Sequence, residues 1–263
     1  MQIVIAGSPE EVGRLAAARI SQLIRSCPDT VLGLATGSSP LAIYAELARQ
    51  VREEGLDCSA VHAFALDEYV GLALDHPESY HSVITQEVVG PLRLDPEHVH
   101  VPDGTASDLA AACADYERLI AETGPIDLQI LGIGANGHVG FNEPTSSFGS
   151  RTRIKTLAPK TRGDNARFFS SADEVPTHCL TQGLGTILEA RRLVLVAQGE
   201  GKAQAVAAMV EGPLSSMCPG SALQLHPDAT VIVDEAAAAA LTLADYYRYT
   251  YDHLPEWQRF PAS

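Results

Sequence analysis

The sequence predicts an α/β fold: a single-domain, doubly wound, mostly parallel sheet with helices on both faces, a Rossmann-like arrangement. Three observations lead there. Short apolar runs alternate along the chain with stretches of helical period. Those runs are continuously apolar, as strands covered on both sides require. Several of them end in short loops rich in Gly, Ser or acids, just ahead of the next helical stretch. The 263 residues, 46% of them apolar, permit one large α/β domain or two small ones. No repeat, low-complexity segment or linker divides them, so one domain over 1–263 is expected.

Gln2-Ile3-Val4-Ile5 is the first strand candidate. Ser8-Pro9-Glu10-Glu11 has the form of a capping box with Pro at the first helical position, and Val12, Leu15, Ala16, Ile20, Leu23 and Ile24 follow at helical spacing. Val31–Leu34 is a buried strand ending in Thr36-Gly37-Ser38-Ser39-Pro40, and a helix from about Leu41 carries Ile43, Leu47 and Val51. Val61–Leu66 is the next strand and ends at Asp67-Glu68-Tyr69. Leu109 to Glu122 reads as a helix and Asp127–Leu131 as a strand. Leu193–Ala197 and Thr230–Val233 are further buried strands, with helices expected at about 200–211 and 234–245. The tyrosine-rich Tyr246–Tyr251 is expected to pack back on the fold or on another subunit.

Composition narrows the function classes. The net charge of −15 argues against nucleic acid and anionic membrane as partners. No apolar run approaches the length of a membrane span and no charged-then-apolar leader is seen. The five cysteines are scattered, without metal-ligand spacing, which fits a reducing cytoplasm better than a disulfide framework. His98-Val99-His100 lacks a supporting carboxylate or Cys cluster and reads as a surface strand or turn, so no metal is expected.

Ligands of open parallel sheets sit at the carboxyl ends of the strands, and three strand ends here carry chemistry. The loop Gly132–Pro144 holds His138 and Glu143 five residues apart, an imidazole and a carboxylate suited to acid/base work. Gly132, Gly134 and Gly137 spell G-x-G-x-x-G, yet Gly140 and Pro144 interrupt the helix that a dinucleotide fingerprint needs. Arg153 and Lys155 stand where its acid would be. Gly37, Ser38 and Ser39, before a helix and without a P-loop lysine, suit a phosphoester smaller than a nucleoside triphosphate; an ordinary N-cap turn is the alternative. Asp67 and Glu68, at the end of an apolar strand, offer a desolvated carboxylate of raised pKa, while one of the two is expected to cap the next turn. Finally, Arg151, Arg153 and Lys155 alternate. As a strand they would put three cations on one face, facing an anion or acids, or serve as a charge-protected edge.

Leu34–Pro40, Leu66–Leu72, Pro77–Tyr80, Gly132–Pro144, Ser150–Lys155, Ala166–Phe169 and Leu223–His226 together resemble glucosamine-6-phosphate deaminase, from the first helix to about residue 235. The resemblance implies an enzyme of amino-sugar catabolism, classed as a hydrolase/isomerase. It would convert glucosamine 6-phosphate and water to fructose 6-phosphate and ammonia, with no metal or organic cofactor. In that reading Asp67 is the base that moves a proton from C2 to C1. His138 opens the pyranose ring, with Asn136 and Glu143 completing the catalytic set. Gly37, Ser38, Ser39, Arg167 and Lys202 hold the phosphate. Many relatives have Asp where this chain has Asn136, and the missing charge implies a lower His138 pKa. The allosteric members bind N-acetylglucosamine 6-phosphate through residues matching Ser146, Arg153 and Lys155, with Met1 of a neighbouring subunit. That implies an activated homohexamer, and residues 156–182 match the family's lid. The rivals are a 6-phosphogluconolactonase-like hydrolase and a non-catalytic sugar-phosphate sensor. Glucosamine versus galactosamine is left open.

Overall fold

The computed structural model describes residues 1–255 and Gln258. Seven strands form one wholly parallel sheet: β1 (Gln2–Ala6), β2 (Val31–Leu34), β3 (His62–Ala65), β5 (Val99–His100), β6 (Leu128–Leu131), β9 (Leu193–Ala197) and β10 (Ala229–Asp234). Their order is β1-β10-β9-β6-β2-β3-β5. A second sheet, antiparallel and ordered β4-β8-β7, is built from β4 (Asp67–Tyr69), β7 (Arg153–Thr156) and β8 (His178–Thr181). The helices are α1 (Pro9–Ser26), α2 (Leu41–Glu53), α3 (Tyr80–Ile84), α4 (Gly90–Leu92), α5 (Leu109–Thr123), α6 (Pro159–Asn165), α7 (Leu184–Leu188), α8 (Ala203–Val210) and α9 (Ala244–Asp252). A single π turn, Thr85–Val89, joins α3 to α4.

Every residue of β2, β6, β9 and β10 is buried, which is why these strands read as predominantly apolar runs. Val12, Leu15, Ala16, Ile20 and Ile24 of α1 and Ile43, Leu47 and Val51 of α2 turn their apolar stripes into the same core. Burying each such large aliphatic side chain contributes about 1.5–3 kcal/mol. Ser8 caps α1, accepting from the Glu11 amide at 3.2 Å with Pro9 in the first turn, as the capping sequence predicts. A smaller apolar cluster of Tyr69, Phe141, Leu157, Val175 and Cys179 lies apart from the main core, under residues 157–175.

Two expectations need correction and two hold in sharper form. The strand expected at Val61–Leu66 is β3, which ends before Asp67 as the sequence indicates. Leu66 donates to Leu34 on the large sheet and accepts from Gln182 beside the small one, so the chain changes sheets there. No helix begins at 234. The Asp234 carboxylate accepts from the amides of Ala237 (2.7 Å) and Gly199 (3.0 Å), holding the alanine-rich stretch in turns, and the helix starts only at Ala244. The helix expected at 200–211 opens as a 3-10 turn, Glu200–Lys202, before α8. Arg151 precedes β7 and pairs with Glu117 (2.6 Å) and Glu189 (2.5 Å), so it leaves Arg153 and Lys155 as the half-buried cations of that strand. Of the tyrosine-rich segment, Tyr247 and Tyr251 pack on the core, while Tyr246 and Tyr249 face outward.

Candidate active site

The carboxyl ends of four adjacent strands, β9, β6, β2 and β3, open on one cavity of about 370 Å³. Each delivers one of the sequence-predicted groups. β3 hands over to β4 with Asp67, β2 ends in Gly37–Ser39, β6 in the His138 loop, and β9 in the turn bearing Lys202. All of these side chains or loops line the cavity, together with Arg167.

Asp67, Glu68 and Tyr69 divide their work by strand alternation. Asp67 and Tyr69 fall on the cavity face of β4, and Glu68 turns away. The Glu68 carboxylate accepts from the amides of Tyr80 and His81, both at 2.9 Å, and so caps α3 from a distance. Asp67 is only 5% exposed. Burial, reinforced by the neighbouring Glu68 charge, pushes its pKa up to about 8, against a stabilising bond from the Phe141 amide. It is a carboxylate poised to hold or release a proton near neutrality.

The loop after β6 folds tightly on itself. The Gly134 amide donates to the His138 carbonyl at 2.9 Å, and a side chain at Gly134 would collide with the His138 ring. Gly140 adopts a φ of +54°, and a Cβ there would lie 3.3 Å from Asp67 Oδ2 and 3.2 Å from Thr181 Oγ1. Small residues at these two places bring the imidazole and the buried carboxylate to the same cavity.

His138 reaches Glu143 through Asn136. The Asn136 amide nitrogen donates to Glu143 Oε2 at 2.8 Å, which leaves its oxygen to face His138 Nδ1 at 2.6 Å. A carbonyl oxygen accepts only, so Nδ1 carries the proton and Nε2 of the neutral ring is a free base. Glu143 Oε2 itself stands 3.8 Å from Nδ1. Glu143 Oε1 accepts from the Thr161 hydroxyl and from the Ala158 amide at 3.3 Å, which ties the relay to α6. Burial lowers the His138 pKa, the Glu143 charge opposes that, and Lys202 adds to it.

At the far side, Gly37 holds a φ of +88° and is exposed beside Ser38. Arg167 Nη2 donates to Ser38 Oγ at 3.3 Å. Burial lowers the pKa of Lys202, as do the nearby Arg167 and Lys160 cations, against the charge of Asp164. Two cations converging on an N–H-rich turn before α2 make a seat for an anion.

The other predicted residues lie elsewhere. Arg153 and Lys155 lie on β7, at the edge of the small sheet, and Ser146 lies in the loop after Glu143. Ser146 is buried with its hydroxyl unpartnered, and neither cation has an ion pair among the described residues. Met1 is exposed beside β1, an edge strand of the large sheet, whereas β7 is an edge strand of the small one. His98 and His100 belong to edge strand β5 and its approach, where His98 stacks on His62 at 4.0 Å. Sequence reading missed Thr161 and Asn165. Their partners are residues from distant parts of the chain, Glu143 and Tyr69, so no local spacing marks them.

The family model described as glucosamine-6-phosphate isomerases/6-phosphogluconolactonase matches residues 8–232. A glucosamine-6-phosphate deaminase of Pseudarthrobacter chlorophenolicus is 58% identical over 258 residues, covering 98% of this chain and 99% of that one. One of Rhodococcus opacus is 59% identical over 260 residues, covering 99% and 100%. Among solved structures, a monomeric glucosamine-6-phosphate deaminase superposes with a TM-score of 0.89 at 44% identity, over 91% of this chain and all (100%) of that one. A 6-phosphogluconolactonase from Trypanosoma cruzi, TM-score 0.72 and 21% identical over 92% of this chain and 97% of its own, shares the fold. The chain belongs to the family of glucosamine-6-phosphate isomerases and 6-phosphogluconolactonases.

Proposed function

We propose that this chain is a glucosamine-6-phosphate deaminase, converting glucosamine 6-phosphate and water to fructose 6-phosphate and ammonia. The observation that carries the reading is the pairing, on one cavity, of a buried carboxylate of raised pKa with a neutral imidazole of assigned tautomer, opposite an anion seat. Gly37, Ser38, Ser39, Arg167 and Lys202 hold the 6-phosphate, and that anchorage orients C1 and C2. His138 Nε2 takes the proton of the anomeric hydroxyl and returns it to the ring oxygen, opening the pyranose. Asn136 and Glu143 steady the ring as it charges. Asp67, ionised, takes the C2 proton and returns it at C1. Return of that proton leaves an iminium at C2; water adds to it, and the resulting carbinolamine expels ammonia as the C2 carbonyl of the ketose forms. The reaction is thus an aldose–ketose isomerisation that ends in deamination, a closer description than hydrolysis. None of these steps calls for a cofactor.

Ammonia and fructose 6-phosphate released in equal amounts from glucosamine 6-phosphate is the expected result. Hydrolysis of 6-phosphogluconolactone instead would favour the lactonase. Phosphosugar binding without turnover of either would favour the sensor.

Ser146 and the β7 cations support a second reading, of regulation. Ser146, whose hydroxyl has no partner among the described residues, and Arg153 and Lys155, which have no ion pair among them, suit the phosphate of N-acetylglucosamine 6-phosphate as activator, completed by Met1 of another subunit in a homohexamer. The 44%-identical structural neighbour is a monomer, so light scattering with and without that ligand is the direct test. Residues 156–182, which carry Thr161, Asn165 and Arg167, act as the lid of the single domain. A cytoplasmic setting fits the five free cysteines, and no helix of the described residues is long and apolar enough to cross a membrane.

A further inference from the structure

Two residues of the segment over the cavity, Asn165 and Arg167, each make one polar contact across it, at opposite ends. Arg167 reaches Ser38 in the anion seat. Asn165 Nδ2 donates at 2.9 Å to the hydroxyl of Tyr69, which sits two residues from Asp67 on the same face of β4. The Tyr69 ring packs on Phe141 of the His138 loop and on Phe169 beside Arg167, centroids 5.7 Å away in both cases. Tyr80, held in place by Glu68, adds a ring contact at 4.9 Å. Tyr69 thus joins the base strand to the imidazole loop, α3 and the covering segment. Nothing in a phosphate seat or an acid/base pair requires such a joint.

We infer that Asn165 and Tyr69 are positioning residues that couple capture of the phosphate by Arg167 to placement of Asp67 against the reacting carbons. Arg167 and Asn165 ride on one short stretch of α6 and the 3-10 turn after it. A phosphate that draws Arg167 down therefore seats Asn165 on Tyr69. The tyrosine in turn fixes the strand that presents the carboxylate, so binding energy at the phosphate end is used at C2. This inference rests on the deaminase reading.

The test is steady-state kinetics of Asn165→Ala, Tyr69→Phe and the double variant on glucosamine 6-phosphate, with inhibition by inorganic phosphate measured in parallel. Each single variant should lower kcat by about five- to tenfold, the worth of one hydrogen bond. The double variant should be no worse than Tyr69→Phe alone, which removes this contact together with the 3.4 Å bond from the Tyr80 hydroxyl. The Ki of inorganic phosphate should stay at the wild-type value in all three, whereas Arg167→Ala should raise it. Multiplying effects in the double variant would overturn the inference. So would unchanged kcat in the singles, or a phosphate Ki that rises in step with lost turnover, which marks mere loosening of the segment. A wild-type protein that releases no ammonia would instead overturn the deaminase reading, and the positioning role with it.

Discussion

Replacing Asn136 by Asp tests the proton relay at its centre. The wild-type amide lies 2.8 Å from Glu143 Oε2 and 2.6 Å from His138 Nδ1, donating to one and accepting from the other. A carboxylate there faces an imidazole it stabilises when charged and a Glu143 charge it repels. At an effective dielectric of 20, two unit charges 4 Å apart interact by about 4 kcal/mol. The repulsion from Glu143 is present whether or not the imidazole is charged, so it cancels from the His138 equilibrium and the attraction to imidazolium remains. Glu143 Oε1 accepts from Thr161 and Ala158, which spreads its charge and lessens the cost of a second carboxylate beside it. The His138 pKa therefore rises. The assay is the pH dependence of kcat/KM, with the imidazole followed directly by NMR. In the wild type burial lowers the His138 pKa and Nε2 is free at neutral pH. In Asn136→Asp the limb moves to higher pH and turnover at pH 6.5 falls. An unmoved limb, with the NMR titration also unmoved, would refute the relay.

Asp67→Asn should abolish ammonia release. Because the folded carboxyl is raised to about 8 from an unfolded value near 3.8, the folded state keeps a proton that the unfolded chain gives up between those values. This group's contribution to stability therefore declines as pH rises from about 4 to 8. Asp67→Asn should accordingly melt above wild type at pH 9, by an amount on the order of a few kcal/mol, and close to it at pH 4. Arg167→Ala and Lys202→Ala should each raise KM about ten- to a hundredfold, as loss of a charge-assisted bond predicts, and an effect confined to kcat would count against the anion seat. His62, stacked on His98 with its Nδ1 buried and without a partner among the described residues, should make the β3–β5 edge acid-sensitive. Burial lowers the His62 pKa, so its neutral form supports the fold above about pH 6.5 and that support is lost on acidification. His62→Phe should flatten the fall in Tm between pH 6.5 and 5, and an unaltered slope would place the sensitivity elsewhere.

The sequence by itself determined the elements whose signal is local. Buried parallel strands need predominantly apolar runs, so β2, β6, β9 and β10 stand out. The Ser8 cap, the Gly37–Ser39 turn and the glycines around His138 are likewise written at short spacing, and so is the expectation that one of Asp67 and Glu68 caps the next turn. Tertiary structure decided what depends on partners far along the chain. The break at Leu66 exists because that residue bonds to both sheets, and the alanine-rich stretch after Asp234 stays in turns because a carboxylate captures its amides. Arg151 leaves its expected neighbours for Glu117 and Glu189. The relay from Glu143 through Asn136 to His138, and the contact of Asn165 with Tyr69, depend on interatomic distances and the orientation of one amide. Residue order places such groups in the same loop or on the same sheet. Only packing in three dimensions sets which atom donates to which, and that sets the tautomer and the pKa on which the chemistry turns.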